Sequence, residues 1–137
     1  MKFILDTNAV SALMRGDSRA IAKLGQLAHK DVAVPQPVFA EIAYGIERLP
    51  KSKRKAALRE RFALVRDELT AAPWSDDVSD GFGVIKAELE RAGTRIEDFD
   101  AAVAAHALAL GATLVTANVK HLARIDGLPI VDWSAPD

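Results

Sequence analysis

The chain has 137 residues, 50% of them hydrophobic and 27% charged, and no cysteine. That length suits one folded domain spanning 1–137. The composition argues against disorder, and the lack of cysteine excludes a disulfide framework, thiolate metal sites and a cysteine nucleophile. Lys plus Arg is 18 and Asp plus Glu is 19, a net charge of −1, so total charge announces no polyanionic partner.

Lys2 to Leu5 is a short apolar run closed by Asp6, Thr7 and Asn8, which reads as a buried strand running into a helix cap. It is too short for a signal-peptide core or a membrane span, so a soluble cytoplasmic protein without a membrane partner is expected. Val10, Leu13 and Met14 follow at helical spacing until Gly16 and Asp17 break the pattern. Ile21, Leu24 and Leu27 mark a second helix. Val32 to Val34 reads as a second buried strand, stopped by Pro35 and Pro37. Val38, Ile42, Ile46 and Leu49 form one stripe of a third helix, and Leu58, Phe62, Val65 and Leu69 form the stripe of a fourth.

Ala71 to Trp74 suits a short edge strand. Val78, Phe82, Ile85 and Leu89 define a fifth helix, ended by Gly93. Glu97 to Leu110 is a sixth, rich in Ala, with Gly111 as its stop. A strand over Thr113–Thr116, a short helix over Val119–Leu122 and a last strand over Leu128–Val131 complete the pattern. Strands that alternate with helices pair in parallel and are covered on both faces. The expected fold is therefore α/β, with a sheet of four to five strands flanked by helices.

In such a sheet, ligands sit beyond the carboxyl ends of the strands, where strand order reverses. Asp6 falls at the end of the first strand, and Asn118 just past the end of the Thr113–Thr116 strand. Glu41 lies early in the third helix, among Phe39, Ala40, Ile42 and Ala43. Asp98 and Asp100 open the sixth helix. These five residues can converge on one edge. Two unit charges about 4 Å apart repel by about 4 kcal/mol at an effective dielectric near 20. Clustered carboxylates therefore take up protons or bind a cation, and an all-oxygen set favours Mg²⁺ or Mn²⁺ over zinc. Each residue also has a plainer role. Asp6 can be a helix cap, Asp98 and Asp100 can answer a helix dipole, and Asn118 can cap the short helix after it.

His106, inside the Ala-rich helix, reads as a packed side chain, while His29 and His121 read as surface or loop residues. The three show no metal-ligand spacing. No phosphate-cradling glycine loop is present. Charge is segregated along the chain. Arg48 to Arg66 holds eight Lys or Arg and one acid, whereas Trp74 to Asp100 holds eight acids and three basic residues. Such a run is by default a solvated helix face; beside an acidic metal site it can hold a phosphate backbone.

In these segments the sequence resembles the PIN-domain nucleases. Phe3-Ile4-Leu5-Asp6-Thr7-Asn8 is similar to that family's opening strand, and Glu41-Ile42-Ala43-Tyr44-Gly45 to its second acidic motif. Asp100-Ala101-Ala102-Val103-Ala104-Ala105-His106-Ala107 is similar to the third. Thr113-Leu114-Val115-Thr116-Ala117-Asn118, with Gly127-Leu128 and Trp133 beyond, is similar to the C-terminal section. The length is most like the VapC-type toxins of bacterial type II toxin–antitoxin modules.

The resemblance implies a Mg²⁺-dependent endoribonuclease, with Mn²⁺ as a substitute ion. In it, Asp6, Glu41 and Asp100 are the acidic triad, and Asp6 and Asp100 are the principal metal ligands. Thr7 or Thr116 helps position water. At the family's fourth acidic position stands Asn118, which offers a carbonyl oxygen but no charge. Asp98 is expected to replace part of it. The resemblance also implies an RNA substrate, a homodimer and a cognate antitoxin laid over a groove between the third and fourth helices. Lys51, Lys53, Arg54 and Lys55 are expected to contact RNA or an acidic antitoxin tail. Two other readings stay open. A receiver-like phosphoacceptor domain shares the fold class, but it wants an acidic pair after the first strand and an Asp where Pro35 stands. A PIN-fold protein that binds without cleaving is the other, hinted at by Asn118.

Overall fold

The computed structural model describes residues 1–136. Five strands, β1 (Phe3–Leu5), β2 (Val32–Pro35), β3 (Thr70–Ala72), β4 (Thr113–Val115) and β5 (Ile130–Val131), form one sheet in the order β3-β2-β1-β4-β5. Every pairing is parallel, with Phe3 beside both Val32 and Thr113. Seven helices flank the sheet: α1 (Thr7–Met14), α2 (Ser18–Gly25), α3 (Gln36–Glu47), α4 (Lys53–Glu68), α5 (Asp76–Arg91), α6 (Asp98–Leu110) and α7 (Val119–Leu122). The chain steps from β1 out to β3, then returns to the other side of β1 for β4 and β5. Crossovers of one hand running in opposite directions lay their helices on opposite faces. The strands accordingly read as unbroken apolar runs, with Ile4, Leu5, Val32, Ala33, Val34, Leu114 and Val115 all fully buried.

Prolines set three boundaries that differ from the sequence pattern. α3 begins at Gln36, two residues before Val38, because Pro37 occupies a first-turn position whose missing N–H is no loss. β3 is Thr70–Ala72, since Pro73 cannot extend a ladder. β5 is reduced to Ile130–Val131; Pro129 lends only its carbonyl, to the Leu114 N–H at 2.9 Å. A turn of 3₁₀ helix at His29–Asp31 has no counterpart in the periodicity.

α6 packs between α5 and the β1–β4 strand pair. Its residues Ala101 to Ala107 are buried without interruption, so this helix is covered all round. Small side chains permit that closeness. A Cβ on Gly81 of α5 would stand 3.6 Å from the Ala105 Cβ, in ordinary van der Waals contact, so the two helices meet through their smallest residues. Gly111 ends the helix in the left-handed region at φ 63°, where a side chain would be strained. His106 is fully buried, edge-on to the Trp74 ring at 5.3 Å and 86°, and neither ring nitrogen has a hydrogen-bond partner among the described residues. Burial pushes its pKa down, so the neutral ring is the packed form.

Candidate active site

The reversal of strand order falls at β1, and the crevice there opens beyond the ends of β1 and β4. Asp6 follows β1 directly. Its backbone N–H donates to the Val115 carbonyl at 3.1 Å, which pins the residue to the neighbouring strand. Its carboxylate accepts from the Ala9 N–H at 2.8 Å and so caps α1. A cap of this kind contributes about 1 kcal/mol. The Thr116 hydroxyl is the second partner of the carboxylate. That hydroxyl accepts from the Asn118 N–H at 2.9 Å, which leaves its proton free for Asp6. Capping and chemistry are thus compatible in one side chain. Burial, first, and then the charges of Asp100 and Glu41 push the Asp6 pKa up, against the opposing pull of Thr116 and Ala9.

Glu41 lies in the second turn of α3 and is half-buried. The Thr7 hydroxyl donates to its Oε1 in a short hydrogen bond, joining the start of α1 to α3. Asp100, also half-buried, lies in the first turn of α6. Its pKa is raised by burial first, then by Glu41 and Glu97, while His121 acts to lower it. Three acids from three separate elements therefore feel one another across the crevice, as the strand-end reasoning anticipates.

The remaining sequence candidates divide. Thr7 and Thr116 each hold one of the acids. Asn118 precedes α7 at the same edge, and its side chain makes no capping bond. Asp98 turns to Lys86, at 3.1 Å, on an exposed surface. In the basic run, Lys55 is nearly covered and donates to the carbonyls of Glu47 and Leu49 at 3.0 and 3.1 Å. It closes the α3–α4 turn. Lys51, Lys53 and Arg54 are exposed and make no hydrogen bond or ion pair among the described residues. Spacing does not single out His121, yet it faces Asp100 from α7. Phe99 and Arg95 line the same cleft. Only the aromatic at position 99, between two acids, is a signal for them in the sequence.

The donor set consists of carboxylates supported by hydroxyl and amide groups. Such hard oxygens suit a divalent cation of the Mg²⁺ or Mn²⁺ kind. Among the described residues, no three His, Asp or Glu side chains are drawn tightly around one point. Crowded acids with raised pKa values are the electrostatic counterpart of the same fit.

The family described as PIN domain matches residues 3–128. Ribonuclease VapC2 of Rickettsia felis is 33% identical over 135 residues, covering 97% of this chain and 98% of that protein. The tRNA(fMet)-specific endonuclease VapC of Shigella flexneri is 29% identical over 134 residues, covering 98% and 99%. Among solved structures, VapBC2 from Rickettsia felis, bound to a DNA fragment from its promoter, superposes with a TM-score of 0.86 at 29% identity. The match covers 97% of this chain and 99% of that one.

Proposed function

Since the chain belongs to the PIN-domain family, in its branch of VapC ribonucleases, we propose that it is an endoribonuclease. It hydrolyses RNA phosphodiester bonds at the crevice between β1 and β4, as the toxin of a type II toxin–antitoxin module. The observation that carries this reading is the meeting of Asp6, Glu41 and Asp100 at one strand edge, where Asp100 and Glu41 act on Asp6 and Glu41 acts on Asp100.

Asp6 and Asp100 would hold a divalent ion, Mg²⁺ or in its place Mn²⁺, with Glu41 beside them. When bound, such an ion supplies Lewis acidity, making water more acidic and offsetting charge that develops on the phosphate. The chain's own residues supply preorganisation. Asp6 is fixed by the Ala9 N–H and the Thr116 hydroxyl, so it needs little rearrangement during reaction. Thr7 holds Glu41 in the same way. Asn118 presents a neutral amide in place of a fourth charge, which favours one tightly held ion over two. Lys51, Lys53 and Arg54, unpaired among the described residues, are cations available to an RNA backbone or an acidic antitoxin tail. The antitoxin partner rests on the likeness to VapBC proteins; the homodimer rests only on the family resemblance.

The test is cleavage of a labelled RNA pool by protein stripped of co-purified antitoxin, in Mg²⁺, in Mn²⁺ and in EDTA, with Asp6→Asn in parallel. Metal-dependent cleavage that disappears in the variant supports the reading. Folded, metal-loaded protein that cuts nothing but still binds metal and RNA favours the non-cleaving alternative.

A further inference from the structure

Between the start of α1, the first turn of α2 and the segment after β5 lies a second cavity of about 180 Å³. Its walls are small or apolar: Ala9, Ala12, Ala20, Val115 and Trp133. Alanine leaves open the space that a larger side chain would fill. Trp133 is buried and rests against Phe3, with ring centroids 5.8 Å apart. Arg19 Nη1 donates to the Ser134 carbonyl at 3.4 Å and ties the segment after β5 to α2. An engineered apolar cavity of about 150 Å³ holds benzene, so this one has room for a phenyl or isobutyl group.

Two opposite charges border this apolar space. Arg15, at the end of α1, is exposed and makes no side-chain hydrogen bond or ion pair among the described residues. Asp132 is half-buried. Its Oδ1 accepts from the Ser134 N–H at 2.9 Å and from the Ser134 hydroxyl at 2.6 Å, and its Oδ2 has no partner among the described residues. No ion pair joins Arg15 to Asp132.

A lone anion entering here meets Asp132, and a lone cation meets Arg15. An uncharged body draws water off both charges and returns nothing to them. The molecule that answers both charges carries a carboxylate, an ammonium and an apolar body within one small frame. A few placed polar groups around an apolar space are the usual means of fixing such a ligand.

We propose that this cavity binds a free apolar α-amino acid. Its carboxylate meets Arg15, its ammonium meets Asp132 Oδ2, and its side chain lies among the alanines and Trp133. Ala9 and Thr116, which fix Asp6, belong to the same wall, so the occupant rests against the acid edge from behind. The site does not depend on the ribonuclease reading.

The experiment is calorimetric titration of the whole protein with L-leucine and with L-phenylalanine, with tryptophan emission followed in parallel. Saturable binding at one site per chain is expected. Isocaproate, which is leucine without its ammonium, and isoamylamine, which is leucine without its carboxylate, bind at least about tenfold more weakly than leucine, the scale of losing one hydrogen bond to a charge. Glycine, which keeps both charges and lacks the body, also binds more weakly. Arg15→Gln lowers leucine affinity by about the same factor, with the Tm of the ligand-free protein unchanged. Asp132→Asn does likewise, since Asn still accepts from Ser134. Ala117→Trp, at an exposed position of the lining, blocks the cavity and abolishes binding. Absence of binding by folded protein at millimolar leucine and phenylalanine overturns the inference. So does equal binding of leucine, isocaproate and isoamylamine, or unchanged leucine affinity in Arg15→Gln. If Asp132→Asn does not fold, Arg15→Gln and Ala117→Trp decide.

Discussion

Two charged regions of this molecule resolve their charge in opposite ways. On the α3–α4 side, the one acid of α3's last turn is matched locally: Arg59 reaches Glu47 at 2.6 Å, and Lys55 is tied to the end of α3, while Lys51, Lys53 and Arg54 point to solvent. Arg66 lies over the Phe39 and Phe62 rings at 5.3 and 4.7 Å. Glu47 accordingly holds its pKa below the usual carboxylate value, chiefly through its hydrogen bond from Arg59. At the β1–β4 edge, acids are gathered with acids, and the pKa values of Asp6 and Asp100 move up. Charge balanced within the chain serves the fold. Charge left unbalanced within it awaits something from outside.

The largest effect expected from this contrast is at the edge. Asp100→Asn should lower metal-dependent RNA cleavage by at least about a hundredfold, the scale of losing one preorganised charge-stabilising group. The same change relieves repulsion with Glu41, so Tm in EDTA at pH 7 should rise. A fall in Tm would show that Asp100 is structural and would break the comparison. Next comes the basic turn. Reversing Lys53 and Arg54 to Glu should weaken RNA or antitoxin binding about tenfold. It should also flatten the salt dependence by about one unit for each phosphate no longer neutralised, with Tm unchanged. Lys55→Ala should behave in the opposite manner, reducing stability by about 1 kcal/mol in chemical denaturation while leaving RNA affinity intact.

His106 sharpens the comparison inside α6, whose first turn is charged and whose interior is not. Its folded-state pKa lies below the ordinary 6.5, so the unfolded chain takes the proton more readily. Its contribution is therefore full above pH 6.5 and is lost as pH falls through that value. His106→Leu should abolish this acid-side loss in a pH series of Tm. It should also add about 1 kcal/mol at pH 7, because two unpaired ring nitrogens leave the core. The smallest effect belongs to Arg59→Ala. That pair is more than half exposed on both sides, and its loss should leave Tm within error.

Much of this arrangement is legible in the sequence, for local reasons. β1, β2 and β4 announce themselves as unbroken apolar runs. Asp6 stands where any strand-to-helix cap would, and Glu41 sits in an apolar stretch that leaves a carboxylate little other use. The alternation of elements then brings Asp6, Glu41 and Asp100 to one edge without further information. What cannot be read depends on distant partners. Nothing near Lys55 in sequence distinguishes it from Lys53; only the carbonyls at the end of α3 do. Asp98 and Asp100 are equivalent by spacing, yet Lys86 of α5 takes one and leaves the other. His121 looks like a surface residue until α7 brings it opposite Asp100. The prolines that shorten β3 and β5 are visible, but their reach depends on ladder partners from other segments.

The strand order has a consequence in time. β1 is the first strand made, and one of its two partners is β4, which begins at Thr113. The acids that meet at its end come from positions 6, 41 and 100, and the hydroxyl that steadies the first comes from position 116. Contacts of such long sequence separation close late in folding. Until β4 has paired with β1, the edge that gathers these acids is incomplete.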